Sequence, residues 1–390
     1  MSKEKRSENM DKIFMTGVTG LVGSGFVTAL LKDRPDVRFV CLARGGKNRT
    51  AMDRVVEAVK SECDFEGIPE RFEEIMRHIE VVDGDIVSMD PAAVAALPAC
   101  RGVSQVFHCA ADVNLGKDPT GRTFRINYNG TEHMLETARL MKADVFHYVS
   151  TAYVAGKTRG VSPEAEVPDN GFNNPYEESK FKAENMVRHS GFPFTIYRPA
   201  IITGRRSDGR IRKPLAVYRL LEFVAKMKSH TCAKRGIDPT QPVDIGLHFH
   251  VVPSDRIYFS PIDYVQYAIT KCFQLPVANQ TYHVTGNSPV STRMIEDAVT
   301  GLLRLDNVTV GTTEKEITTD ERLIERLLGD LFPYFSADVI FSQENITKAI
   351  GADQVNWEYG RPGLEKMMLA FYRDFFRNTD WVQALLANRA

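Results

Sequence analysis

Between a short apolar run, Ile13 to Met15, and a stretch with apolar residues at helical spacing, Leu21 to Leu31, lies Thr16-Gly17-Val18-Thr19-Gly20-Leu21-Val22-Gly23. This turn constrains the fold more than any other feature of the chain. Its three glycines are spaced three apart, and each has a separate physical task. Gly17 permits the tight turn, Gly20 lets the backbone approach a pyrophosphate, and Gly23 allows the helix to pack close on the strand. The helix amino terminus adds N–H groups and the positive end of its dipole. The expected dinucleotide contacts are therefore Gly17, Thr19, Gly20, Leu21, Val22 and Gly23. A turn of purely structural kind is the alternative, and the position after an apolar strand near the amino terminus argues against it.

The first half of the chain continues the same rhythm. Strand-like runs at Arg38 to Leu42, Ile79 to Val82, Val106 to Cys109, Val145 to Val149 and Phe194 to Tyr197 alternate with helix-like stretches. The helical stretches are Ala51 to Val59, Thr123 to Met141 and Tyr176 to His189. The alternation predicts an α/β fold with a doubly wound parallel sheet of the Rossmann type, covered by helices on both faces. A ligand belongs beyond the carboxyl ends of the strands. After Arg198-Pro199 the rhythm breaks, and roughly 55 residues between Gly204 and Pro261 do not read as βα units. Helix-like segments return near Tyr264–Phe273, Thr292–Leu303, Glu321–Leu328 and Leu364–Phe376. The expected organisation is a dinucleotide-binding domain over 1–204, its sheet completed by parts of 255–290. A smaller, mainly helical substrate domain over 205–390 follows.

A formal net charge of −1 supplies no global field toward nucleic acid or an anionic membrane. The six cysteines are scattered without a Cys-x-x-Cys pair, and four lie in or beside apolar runs. They read as reduced thiols of a cytoplasmic protein. Met1 to Lys12 is polar and lacks the apolar core of a signal peptide, and no stretch approaches the roughly 18 apolar residues of a membrane span. His248-Phe249-His250 has the look of a metal pair, but without a third ligand in view no metal is expected. The run from Leu364 to Phe376 reads as a packed core helix, with a membrane-surface helix as the alternative.

No acid occurs between Val40 and Ala51, where an enzyme for the unphosphorylated dinucleotide usually places one. Instead Arg44 follows the second strand, and Arg54 lies in the next helix. NADP(H) is the expected cofactor, its 2′-phosphate taken by these two cations; a solvated basic loop is the plainer alternative. Asp85-Ile86, after the third strand, is expected beside the adenine. Tyr176-Glu177-Glu178-Ser179-Lys180 sets a phenol and an ammonium on one helix face. A phenol with its ordinary pKa near ~10 is a poor partner at neutral pH, and the ammonium is expected to lower it. Thr151, at a strand's carboxyl end, offers a hydroxyl to a substrate carbonyl oxygen.

In their order, TGVTGLVG, HCAADV, Asn127-Tyr128-Asn129-Gly130-Thr131, STAYVAG, YEESK and Tyr197-Arg198-Pro199 resemble the extended short-chain dehydrogenases/reductases. The resemblance covers roughly 12–204, and more loosely Pro261 to Val265 and His283 to Gly286. It implies that Thr151 polarises the carbonyl, Tyr176 donates a proton and Lys180 orients the cofactor. It also implies cofactor contacts at Ala110, Ala111, Asn127 and Pro199. Within the superfamily the chain is most similar to the thioester reductase and fatty acyl-CoA reductase branch. The carriers of that likeness are the Ala43-Arg44 turn, Val149-Ser150-Thr151-Ala152-Tyr153, and Phe341-Ser342-Gln343-Glu344-Asn345. The last echoes a Phe-Asp-x-x-Asn segment, with Ser342 in place of the acid.

The implied reaction is NADPH-dependent reduction of an acyl-CoA or acyl-carrier-protein thioester to aldehyde, with reduction onward to alcohol as an extension. A hydroxysteroid dehydrogenase or a nucleotide-sugar epimerase or dehydratase would use the same three residues, and a non-catalytic NADP-sensing module is a third reading. Arg205 to Lys213 holds five cations in nine residues. It reads as a dock for coenzyme A phosphates or an acidic carrier protein, or as a solvated loop.

Overall fold

The computed structural model describes residues 11–287, 289–312, 319–335 and 338–387. The reading of Met1 to Lys12 as a polar start falls, for residues 1–10, outside the described residues. The chain forms two compact units that interleave in sequence. Met1–Val154, Pro175–Arg198 and Gln266–Tyr282 make the first, and Ala155–Asn174, Pro199–Val265 and His283–Ala390 make the second.

The first unit is built on a seven-stranded sheet. Its strands are β1 (Lys12–Thr16), β2 (Arg38–Ala43), β3 (Ile79–Asp83), β4 (Gln105–His108), β5 (Val145–Val149), β6 (Phe194–Pro199) and β7 (Gln280–Val284). They lie in the order β7-β6-β5-β4-β1-β2-β3, with β1 parallel to both β2 and β4. Strand order therefore reverses between β1 and β4, so the crevice for a ligand opens where the glycine turn follows β1. Helices α1 (Leu21–Asp33), α2 (Ala51–Glu66), α3 (Gly130–Met141) and α4 (Pro175–Arg188) belong to this unit.

The strands are apolar on both faces, which is what a sheet covered on two sides requires. Phe14, Val40, Val106, Phe146 and Ile196 pack into one buried cluster. Toward the other face Phe26 of α1 stacks on Phe107 with ring centroids 4.0 Å apart, and meets Phe39 and Phe273 edge-on. These aromatic contacts pin α1, and with it the glycine turn, to the sheet.

Unit boundaries differ from a simple break at 204. The chain leaves the first unit after Val154 and comes back at Pro175, and Pro199 already belongs to the second. Strand pairing is the reason. Gly160–Ser162 pairs in parallel with Val339–Phe341, and Ile201–Thr203 with Phe259–Pro261. Both partners are far away in sequence, so no local pattern announces them.

The second unit is also less purely helical than expected: among the described residues it carries four two-stranded sheets. The stretch that could not be read from sequence holds a 19-residue helix, Val217–Arg235, and the strand Val243–Phe249. The helix Gly360–Phe375 buries Leu364, Met367, Met368, Phe371 and Tyr372, as a core helix should. Among the described residues no helix is long and apolar enough to cross a membrane.

A buried ion cluster ties α4 to the ends of the central strands. Glu184 of α4 takes Arg198 Nε at 3.0 Å, Arg188 Nη2 at 2.9 Å and the Ser150 hydroxyl at 2.6 Å. Arg198 is fully buried, and Glu184 nearly so. Burial pushes the Glu184 carboxyl up, but Arg198, Arg188 and Ser150 outweigh it and hold the group at about 2. Glu184→Ala should lower the unfolding free energy by about 3–5 kcal/mol, because Arg198 is left buried without its anion. Urea denaturation measures this, and Glu184→Leu combined with Arg198→Met should recover part of the loss.

Candidate active site

The glycine turn is closed by backbone contacts that leave no room for side chains. Gly17 has φ +80°, and a Cβ there would lie 2.7 Å from Ala110 N. A Cβ at Gly23 would come within 2.2 Å of the Gly17 carbonyl oxygen. Gly20 N–H donates to that oxygen at 2.9 Å. No side chain caps α1 at Gly20, so the first N–H groups of the helix remain available to an anion. Thr19, Gly20 and Val22 are half-buried at this turn, while Leu21 is buried. A cradle that a single Cβ would fill, at an uncapped helix start, fits a dinucleotide pyrophosphate.

Ala110 is joined to the turn by Thr16, whose hydroxyl oxygen accepts from Ala110 N–H at 3.2 Å and Cys109 N–H at 3.3 Å. Thr16 therefore donates its own proton to His108 Nδ1, 2.6 Å away. His108 Nε2–H donates to Thr131 Oγ1 at 3.1 Å, and Thr131 donates to the Asn127 carbonyl at 2.6 Å. Burial, with Lys180 adding to it, lowers the His108 pKa to about 3, so the ring stays neutral. Sequence reasoning passed over His108 because one buried histidine inside a strand carries no pattern.

Around the second strand's end, cations and acids meet. Arg44 Nη1 lies 3.2 Å from Asp85 Oδ2, which joins the residue expected at the 2′-phosphate to the one expected at the adenine. Arg54 Nη1 donates to the Arg44 carbonyl at 2.6 Å, bracing the loop. The loop contains no acid of its own, but Asp83 at the end of β3 accepts from Gly45 N–H at 3.2 Å. A carboxylate therefore stands beside this loop, and only the β2–β3 pairing brings it there. Ile86 is buried, and its carbonyl is bonded to His133 Nδ1 at 2.8 Å.

On α4, Tyr176 and Lys180 are 8% and 2% exposed. The Tyr176 phenol is hydrogen bonded to Thr151, itself 4% exposed. Lys180 Nζ donates to the Val149 carbonyl at 2.7 Å and lies 4.1 Å from the Tyr148 ring centroid. The expected lowering of the phenol by its ammonium neighbour is corrected by this geometry. Burial pushes Tyr176 up to about 12, and it is the Thr151 hydrogen bond that pulls the other way. Burial likewise lowers Lys180 to about 7, with Cys109 and Glu184 opposing. Both groups are thus driven toward their neutral forms.

Asn127 meets Tyr176 indirectly. Its Nδ2 donates to Ser179 Oγ at 2.9 Å, and Ser179 donates to the Tyr176 carbonyl at 2.8 Å. The long helix expected over Thr123 to Met141 is interrupted by a π-helical turn, Arg125–Asn129, which presents Asn127 to α4. Ala111 lies half-buried after β4, and Pro199 is buried at the end of β6. In the second unit His248 Nε2 donates to the Gly311 carbonyl at 3.1 Å, and its Nδ1 lies 2.8 Å from the Thr309 hydroxyl.

Glu164 accepts from His283 N–H at 2.7 Å and from the Asn345 backbone N–H, while Asn345 Nδ2 donates to the Glu164 carbonyl at 3.0 Å. A carboxylate from the 155–174 excursion thus sits at the start of the helix Glu344–Ile350.

In the native fold Lys180 titrates near 7, against ~10.4 when unfolded. Between those values the native state binds fewer protons than the unfolded one, so this group's contribution to stability rises with pH. Lys180→Met should raise Tm at about pH 6, and the advantage should shrink by about pH 9. Thermal melts at the two pH values check the sign.

Comparison with known proteins agrees with the motif order. The family model described as male sterility protein, an NAD-binding family, matches residues 15–260. Among curated relatives, aldehyde reductase lnaA of Aspergillus flavus is 26% identical over 290 residues, 70% of this chain and 25% of the relative. UDP-glucose 4-epimerase of Mus musculus is 28% identical over 210 residues, 52% of this chain and 56% of the relative. The chain spans about a quarter of the length of the first curated relatives it matches. Among solved structures, the terminal R domain of the myxalamid PKS-NRPS pathway superposes with TM-score 0.71 at 22% identity, covering 95% of this chain and 92% of that one. A thiolation-reductase di-domain of an archaeal non-ribosomal peptide synthetase gives 0.67 at 20%, covering 95% and 91%. At these identities the structural likeness speaks for the fold alone. The chain belongs to the male sterility protein family, whose model covers more than half of it.

Proposed function

We propose that the chain reduces an acyl thioester, delivered on coenzyme A or a carrier protein, to an aldehyde with NADPH. The observation that carries this reading is the buried hydrogen bond between Tyr176 and Thr151, with Lys180 one helical turn along. A phenol whose pKa stands at about 12 keeps its proton at neutral pH. It suits a donor to an oxygen that gains negative charge, which is the need of the reductive direction.

NADPH, when bound, supplies the hydride. Gly17, Thr19, Gly20, Leu21, Val22 and Gly23 would hold its pyrophosphate, with Ala110, Ala111, Asn127 and Pro199 along the rest of the crevice. Arg44 and Arg54 would take the 2′-phosphate, and Asp85 and Ile86 the adenine side. Tyr176 and Thr151 hydrogen bond the thioester carbonyl oxygen and stabilise the charge that develops on it. When the carbonyl re-forms, the C–S bond breaks and the thiolate leaves, so hydride and proton together convert the thioester to aldehyde plus thiol. Lys180 holds its position through the Val149 carbonyl and orients the ribose.

The names of the curated relatives support this choice over a sugar epimerase, since two aldehyde reductases match over 70% and 63% of this chain and a UDP-glucose 4-epimerase over 52%. The two are separated by following NADPH oxidation with acyl thioesters and, in parallel, turnover of UDP-sugars and hydroxysteroids. Turnover of a sugar or steroid with none of any thioester would overturn the proposal. Tyr176→Phe should cut kcat by about 10²–10⁴ with NADPH affinity little changed; full activity would remove Tyr176 from its role. Arg44→Ala should weaken NADPH binding by roughly one to two orders of magnitude and leave NADH almost unaffected. Isothermal titration with both dinucleotides decides the point, and equal losses would reject the phosphate assignment.

A further inference from the structure

Tyr148 is a buried ionisable group of the first unit with no part in the reaction above. It lies on β5, where alternation along the strand sends Phe146 and Tyr148 into the cluster that holds Ala183 and Val187 of α4. Lys180 precedes those two residues by three and seven positions, so it shares their helix face. Its Nζ lies over the Tyr148 ring, 4.1 Å from the centroid, and donates to the Val149 carbonyl at 2.7 Å. Two consecutive residues of β5 thus hold the lysine, one by its ring and the next by its backbone.

The Tyr148 ring is itself fixed. It is fully buried, and the His108 ring lies against it with centroids 5.7 Å apart at 30°. Thr16 and Thr131 hold His108 in turn. The other ionisable groups around Lys180 are few. His108 and Cys109 approach from the end of β4, the first neutral and the second a thiol pushed up by burial to about 12. Tyr176 and Glu184 lie on α4 itself, and Glu184 turns its oxygens to Arg198, Arg188 and Ser150. Burial drives Lys180 toward the amine, with Cys109 and Glu184 opposing. The face of an aromatic ring carries negative charge, so it attracts a desolvated ammonium and does little for a neutral amine.

We infer that Tyr148 is a positioning residue for Lys180: its ring face keeps the side chain seated on β5 as the ammonium, and so sets the pH at which that charge, and turnover with it, is lost. The link to turnover rests on the thioester reading above, whereas the charge of Lys180 can be followed without it.

The test changes the charge on the ring's face and keeps its shape. Tyr148→Phe retains the face, and fluorinated phenylalanines at the same position withdraw its negative charge step by step. The ε-carbon resonance of Lys180, identified by its absence from Lys180→Met, reports the titration in the intact chain. Tyr148→Phe should leave the midpoint within about 0.3 of wild type, and trifluorophenylalanine should lower it by about 0.5 to 1.5. Tyr148→Leu, which removes the face, should lower it at least as far. With NADPH and an acyl thioester, the alkaline limb of the kcat profile should move down by the same amount.

A merely structural Tyr148 would give a lower Tm or kcat with the midpoint unmoved, and that result overturns the inference. So does a midpoint moved equally by phenylalanine and by its fluorinated forms, because the face would then be irrelevant. If the resonance midpoint shifts as expected but no variant, nor the wild type, turns over any thioester, the seat of Lys180 stands and the thioester reading falls.

Discussion

The approach of the first βα turn to the end of β4 is the contact on which the rest of the crevice depends. Gly17 lies so close to Cys109 and Ala110 that any side chain would strike their backbone. Thr16, one residue earlier, closes its hydroxyl over the same two N–H groups. Because Thr16 accepts twice, its proton goes to His108, and the direction of every following hydrogen bond to Thr131 and Asn127 is set. A steric demand at one glycine thus becomes an ordered polar chain reaching the helix that faces α4. Neutral His108 is essential to that order, since a charged ring would have no acceptor role for Nδ1.

A second constraint is burial of charge. Tyr176 and Lys180 share a helix face, yet their pKa values move by desolvation more than by mutual attraction. The low dielectric around them penalises phenolate and ammonium alike. The site is suited to donating protons at neutral pH, and it holds Lys180 by a backbone carbonyl and an aromatic face rather than by an anion. One helical turn further along α4, Glu184 takes the opposite course. There the charges are kept and paired, so that Ser150 and the strand end bearing Thr151 are anchored. Two neighbouring clusters thus handle buried charge in contrary ways, one neutralised and the other paired.

The interleaving of the two units bears on the same residues. Thr151 precedes, and Tyr176 follows, the excursion Ala155–Asn174, which belongs to the second unit through its pairing with Val339–Phe341 and through Glu164. The two catalytic candidates therefore flank a segment whose structure is determined elsewhere. Within this segment Glu164 presents its carboxylate to the backbone N–H groups of Asn345 and Ile346, at the start of the helix Glu344–Ile350.

By itself the sequence determined the sheet, the glycine turn and the Tyr176–Lys180 helix. Each is encoded by local spacing: period-two or continuous apolar runs, glycines three apart, and side chains four apart on one face. It also placed Thr151 just past a strand's end. Tertiary structure alone decided the partners of Arg44, the carboxylate of Asp83 beside its loop, the π-turn at Asn127 and the shift of Tyr176 upward rather than downward. It also decided the seat of Lys180 over the ring of Tyr148, which belongs to a different element of the chain. These depend on which distant segments pack together and how much water is removed from between them, and neither quantity is written in the spacing of neighbouring residues.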